Sequence, residues 1–211
     1  MSYSIKTFYY TLQGEGFQTG RPAVFCRFSG CNLWSGLEKD RKNAICNFCD
    51  TEFVGTDGFN GRKYSTAESV AEKAHTLWPA GMEGTPYVVC TGGEPLLQLD
   101  SKLIHAFHEN GFEIGIETNG TIPVPDKLDW VCVSPKADAE LIVKKGDELK
   151  IVYPQNGLDP SDYESLKFDH FSLQPMDGLN TQQTTHATLA YCMKHPQWNL
   201  SLQTHKLLNI S

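Results

Sequence analysis

Tyr87-Val-Val-Cys-Thr-Gly-Gly-Glu-Pro95 is the stretch on which the fold turns. Its first five residues are apolar or β-branched without alternation, as in a strand buried on both faces. Two glycines and a proline then turn the chain into a helix carried by Leu96, Leu99, Leu103, Ile104 and Phe107 and closed by Gly111. Strand followed by helix is a βα unit, and the pattern repeats downstream. Residues 112–118 form a strand ending in Asn119-Gly120, Trp130-Val-Cys-Val133 ends in Ser134-Pro-Lys136, Leu149-Lys-Ile-Val-Tyr153 ends in Pro154, and Phe171-Ser-Leu173 runs into Gln174-Pro-Met-Asp-Gly178. A helix over 181–194, stopped by Pro196, precedes a last strand at 200–204. Upstream, strands at 5–12 and 23–28 are followed by a helix that opens on the capping box Ser65-Thr-Ala-Glu68. It keeps helical spacing through Trp78 and stops at Pro79. Strands alternating with helices predict an α/β fold with a parallel sheet. The unusual polar residues fall at the carboxyl ends of the strands, the face on which such sheets bind ligands.

At 211 residues the chain is expected to form one domain over 1–211, interrupted by a polar insert at about 32–45. A formal charge of −7 argues against a protein that wraps nucleic acid, while leaving room for a local basic pocket. No secretory signal and no apolar run of membrane-spanning length is read in the chain, so a cytoplasmic protein is expected. Seven cysteines without an export signal imply reduced thiols. Cys26, Cys90, Cys132 and Cys192 sit in apolar runs and are read as packing residues. Cys31, Cys46 and Cys49 are different, because they make a C-x14-C-x2-C set. Three thiolates leave one iron of a [4Fe–4S] cluster without a protein ligand, and such an iron can bind and activate a small molecule. On spacing alone, three ordinary thiols or a zinc site with an unseen fourth ligand stay open.

Other residues narrow the chemistry. Gly92-Gly93-Glu94 at a strand end offers free backbone groups beside a carboxylate, which suits an α-amino-acid moiety better than a plain turn does. Arg27 lies in an apolar strand and needs a carboxylate partner, from protein or substrate. Gln13 and Glu15, set between glycines, match the edge of a fused heterocycle. Glu117, Lys136 and His205 each have an ordinary strand-end reading beside a ligand-binding one, and Asp50 and Thr51 either cap a turn or offer oxygen to Mg²⁺.

Phe28-Ser-Gly-Cys-Asn-Leu-Trp34, Cys46-Asn-Phe-Cys-Asp-Thr51 and Thr91-Gly-Gly-Glu-Pro95 together resemble the radical S-adenosylmethionine (SAM) superfamily. With Leu12-Gln-Gly-Glu-Gly16, Glu117-Thr-Asn-Gly120, Ser134-Pro-Lys136 and Gln203-Thr-His-Lys206, the chain is similar to the branch that builds 7-deazapurines for queuosine. The superfamily spaces its cysteines C-x3-C-x2-C. Ser35 stands where the second thiol would fall, and the insert carries it to Cys46.

The resemblance implies a modified, partly open parallel (β/α) barrel with a [4Fe–4S] cluster on Cys31, Cys46 and Cys49. It implies SAM held by Phe48, Gly92, Gly93, Glu94, Glu117, Ser134, Lys136 and Gln174. The implied substrate, 6-carboxy-5,6,7,8-tetrahydropterin, would meet Leu12, Gln13, Gly14, Glu15, Arg27, Thr91, His205 and the carboxylate of Ser211, with Mg²⁺ at Thr51. The implied chemistry is hydrogen abstraction by a 5′-deoxyadenosyl radical, followed by ring contraction with loss of ammonia to 7-carboxy-7-deazaguanine. A one-electron reductant such as flavodoxin or ferredoxin and a homodimeric state are also implied. A component that activates glycyl-radical enzymes is the rival reading, and the heterocycle site at Gln13, Glu15 and Arg27 argues against it.

Overall fold

Period-two alternation along each strand separates the packing residues from the functional ones. The computed structural model describes residues 2–210. On β2 (Pro22–Phe28), Val24, Cys26 and Phe28 enter the main core, whereas Phe25 and Arg27 line the opposite face. On β4 (Tyr87–Gly92), Val88 and Cys90 join that core and Thr91 faces away; on β5 (Glu113–Thr118), Ile114 and Ile116 go in and Glu117 faces away. The rule continues through β6 (Trp130–Val133), β7 (Lys145–Tyr153) and β8 (Lys167–Pro175). There Val133, Leu149, Ile151 and Leu173 build a second core, and Lys150, Val152 and Gln174 face the cleft.

With β1 (Tyr3–Leu12), β3 (Arg62–Tyr64) and β9 (Asn199–Leu200), these make one nine-stranded sheet in the order β3-β1-β2-β4-β5-β6-β7-β8-β9. Every pairing from β2 to β9 is parallel, so these strands point their carboxyl ends the same way. The two ends of the sheet do not meet, which leaves the barrel open as expected. Helices α1 (Ala67–Leu77) and α2 (Ser101–Glu109) bury their apolar faces on the first core. Helix α3 (Thr181–Lys194) lies over β7 and β8, and a short α4 (Thr204–Leu208) follows β9. Among the described residues no helix is long and apolar enough to cross a membrane.

Several sequence expectations are corrected. The α1 cap is Thr66, whose hydroxyl accepts from Ser69 N while the Ser69 hydroxyl faces back toward Thr66, so the capping box lies one residue later than Ser65-Thr-Ala-Glu68. The helix after Gly-Gly-Glu-Pro is two pieces, a 3-10 turn at Pro95–Leu97 and then α2, because Asp100 takes Leu103 N and starts a fresh helix. β1 runs antiparallel to β2, and β3 adds a further antiparallel edge. The last strand is only Asn199–Leu200, so Gln203-Thr-His-Lys206 enters α4 instead of ending a strand. Cys26, Cys90 and Cys132 are buried as expected, while Cys192 is half-buried.

Asp100 also accepts the buried Tyr3 hydroxyl at 2.8 Å, tying α2 to β1. Asp100→Ala removes the cap and leaves that hydroxyl unpaired, and is expected to cost about 2–3 kcal/mol in urea unfolding. Asp100→Asn, which keeps an acceptor, recovers most of the loss.

Candidate active site

The carboxyl ends of the parallel strands open into a cleft of about 530 Å³. Cys31, Cys46 and Cys49 all face it, so Cys31 meets two thiols that lie fifteen and eighteen residues further along the chain. The insert between them is ordered from within. Residues Glu38–Asn43 form a 3-10 turn, the Arg41 guanidinium lies 4.1 Å over the Trp34 ring, and its Nη1 donates to the carbonyls of Asn47 and Cys49 at 3.0 Å each. Arg41 thus braces the loop that carries the two later thiols. The hydrogen bond between Cys46 and Cys49 lowers the Cys49 thiol to about 6 and raises Cys46, and burial raises Cys31.

The Gly92-Gly93-Glu94 turn sits directly beneath that wall. Gly93 N donates to Phe28 O at 3.3 Å and Glu94 N to Gly30 O at 2.8 Å. A side chain at 93 would collide with the Gly30 carbonyl and come within 2.9 Å of the Cys31 Cβ, so only glycine permits this approach. Glu94 itself is fully buried, and both of its oxygens are used inside the protein. Oε1 accepts from Thr118 Oγ1 at 2.8 Å and Leu96 N at 3.0 Å, and Oε2 accepts from Asn119 N at 2.8 Å. Burial raises its pKa, against the opposing pull of these donors. The cleft is lined by Gly92 and Gly93, with Glu94 behind them.

Ser134, Lys136 and Gln174 also face the cleft, as do Phe48, on the loop between Cys46 and Cys49, and Thr91, near the end of β4. Lys136 Nζ donates to the Ser134 carbonyl and hydroxyl at 2.6 and 2.8 Å. Leu12, Gln13, Gly14, Glu15, Arg27, His205 and Thr51 line the same space. Gln13 Nε2 donates to Glu117 Oε1 at 2.8 Å, so Glu117 is joined to the Gln13 group. His205 packs on Gly14, and Thr204 N donates to Gly14 O at 2.9 Å, which seats α4 across the first loop. Among the described residues, Arg27 has no carboxylate partner; the Tyr9 hydroxyl lies 3.5 Å from its Nη2. Asp50 Oδ2 accepts from Lys206 at 2.8 Å, and both Asp50 and Thr51 line the cleft. Ser211 lies outside the described residues.

Lys150 and Glu148 were not singled out from sequence. Lys150 Nζ lies 2.8 Å from oxygens of both Glu15 and Glu117, and Glu148 accepts from Phe17 N at 3.0 and 3.1 Å. The available signal was a lysine inside an apolar strand, the same signal that marked Arg27.

Among the described residues no three His, Cys, Asp or Glu side chains are grouped to grip a single ion. Three spread thiols on one wall fit a cluster, in which each thiolate meets its own iron. Residues 43–149, holding Cys46, Cys49 and the Gly-Gly-Glu-Pro turn, match the Radical SAM superfamily. Over its full length the chain is 58% identical to all of the 7-carboxy-7-deazaguanine synthase of Burkholderia multivorans, and 57% identical to all of that of Bradyrhizobium diazoefficiens. The chain belongs to the 7-carboxy-7-deazaguanine synthases of the radical SAM superfamily. The crystal structure of QueE from Escherichia coli shares the fold, with a TM-score of 0.70 and 25% identity over 96% of this chain and 94% of that one.

Membership in this synthase family makes the chain an enzyme and implies a [4Fe–4S] cluster and SAM. Gly93→Ala should therefore displace the Cys31 segment. The variant is expected to reconstitute with less than about half of the wild-type iron and sulfide while keeping its far-ultraviolet circular dichroism.

Proposed function

We propose that the enzyme converts 6-carboxy-5,6,7,8-tetrahydropterin to 7-carboxy-7-deazaguanine with release of ammonia, as a single domain over 1–211. Substrate and product differ by one ammonia, so the net conversion is redox-neutral. The observation that carries the reading is that the three thiols share one cleft with Arg27, Gln13 and Glu15. A half-buried guanidinium without a protein carboxylate suits an anionic substrate, and an amide beside a carboxylate suits the polar edge of a pterin.

Cys31, Cys46 and Cys49 would hold the cluster, which when bound supplies the electron that cleaves SAM reductively. The chain's own residues would do the rest. Gly92 and Gly93 present backbone to the amino-acid end of SAM, and Glu94 acts behind them by fixing the turn. Phe48 lies on the adenine side, and Ser134, Lys136 and Gln174 line the ribose and carboxylate side. Arg27 pairs with the substrate carboxylate, Thr91 adds a hydroxyl contact, and Leu12, Gln13, Gly14, Glu15 and His205 form the wall for the heterocycle. Glu117 belongs with this wall, supported by its bonds to Gln13 and Lys150. Thr51 would contribute oxygen to Mg²⁺ beside the substrate. A one-electron reductant of the flavodoxin or ferredoxin type, a cytoplasmic location and a homodimeric state complete the proposal.

Arg27→Ala removes one partner of a charged pair and tests the substrate assignment. It should raise KM for carboxytetrahydropterin by about two orders of magnitude while leaving iron and sulfide content unchanged. A wild-type KM in a fully loaded variant would remove the carboxylate clamp from the account.

A further inference from the structure

The concave face of the sheet carries a buried lysine that none of the roles above uses. Lys150 is 3% exposed and donates at 2.8 Å to Glu15 Oε2 and at 2.8 Å to Glu117 Oε2. Gln13 Nε2 donates to Glu117 Oε1 at 2.8 Å, and Gln13 Oε1 accepts from Glu15 N at 3.1 Å. These four bonds close a ring running Lys150, Glu117, Gln13, Glu15 and back to Lys150. Gln203 Nε2 adds a further donor to Glu15 Oε1 at 2.9 Å. Such a ring leaves Glu15 no alternative rotamer without breaking a charge-assisted bond. Both of its oxygens keep acceptor capacity, because an ionised carboxylate offers about four lone-pair sites.

We propose that Lys150 is the positioning residue that makes Glu15 a fixed anionic acceptor for paired N–H donors on one edge of the substrate, and so selects 2-amino-4-oxo heterocycles. The inference rests on the reading of Gln13 and Glu15 as the heterocycle wall. In a pterin, the 2-amino group and the ring N3–H are adjacent donors of the kind a fixed carboxylate receives in pairs. A site built for such donors rejects an analogue that lacks one, because its own buried acceptor is then left unpaired. Glu148, buried on the same strand, is occupied by Phe17 N and does not compete for the substrate.

The test compares steady-state KM and kcat for carboxytetrahydropterin with competitive inhibition by pterin-6-carboxylate and by its 2-oxo counterpart, lumazine-6-carboxylate. Wild type should prefer the pterin by at least about a hundredfold in Ki. Lys150→Met should raise KM at least tenfold with kcat within about threefold, and should flatten the Ki preference at least tenfold. Lys150→Arg should restore the preference to within about tenfold of wild type. Because Lys150→Met leaves carboxylates without their cation, Lys150→Gln supplies a second variant that keeps a neutral donor, and a change in the same direction is expected there. Unchanged Ki preference in either folded variant would reduce Lys150 to charge neutralisation and overturn the proposal. Failure of wild type to turn over carboxytetrahydropterin would instead remove the substrate reading, and the role of Lys150 with it.

Discussion

One buried glutamate joins the three strand ends around which the site is built. Glu94 accepts from Thr118 and Asn119 at the end of β5 and from Leu96 in its own turn, while its backbone N–H reaches Gly30, the residue before Cys31. Burying a carboxyl group is costly, and here donors meet both oxygens and offset that cost. The result is a rigid floor under the first thiol. Asn119 extends it upward, since its Nδ2 donates to Asn32 Oδ1 at 2.9 Å, next to Cys31.

The concave face sets charged side chains among apolar ones. Its charges are organised around Lys150, where burial disfavours the ammonium but Glu117 and Glu15 hold it protonated. Glu15 in turn stays well below the usual carboxylate range despite burial, held there chiefly by Lys150. At the opposite end of the same face, Phe17 stacks on His170 at 3.6 Å and on Trp130 at 5.6 Å, near the start of β6 and within β8. The loop from Gln13 to Phe17 therefore presents cleft-facing side chains at one end and a partly exposed aromatic stack at the other. A charged network of this kind contributes less to stability than an apolar core would, and it fixes geometry instead.

Much of this arrangement was legible in the sequence because the signals were local. Helix α3 matches its expected span, and the Gly-Gly-Glu-Pro and Ser-Pro-Lys strand ends fall on the cleft as expected. The misses have physical causes. β3 is Arg62-Lys-Tyr64, too short and too charged to show a strand pattern, and it exists because β1 offers it an edge. The antiparallel run of β1 depends on pairing with β2, which no local propensity encodes. The sequence reads Glu94 as an acceptor beside an amino-acid ligand but does not show the donors it also takes from Leu96 and from the end of β5, twenty-four and twenty-five residues away. Lys150 was passed over although it sits in an apolar strand as Arg27 does, and its role appears only when β5, β7 and the first loop are brought together.

Under the proposed function, the three thiols and the Arg27 wall act on one substrate within one cleft. Anaerobically reconstituted protein given SAM, a one-electron reductant, Mg²⁺ and carboxytetrahydropterin tests it most directly, with product read by mass spectrometry and ammonia by enzymatic assay. The expected result is 7-carboxy-7-deazaguanine and ammonia in equal amounts, and neither from Cys31→Ala. A fully cluster-loaded protein that consumed no pterin, or that formed product without ammonia, would contradict it.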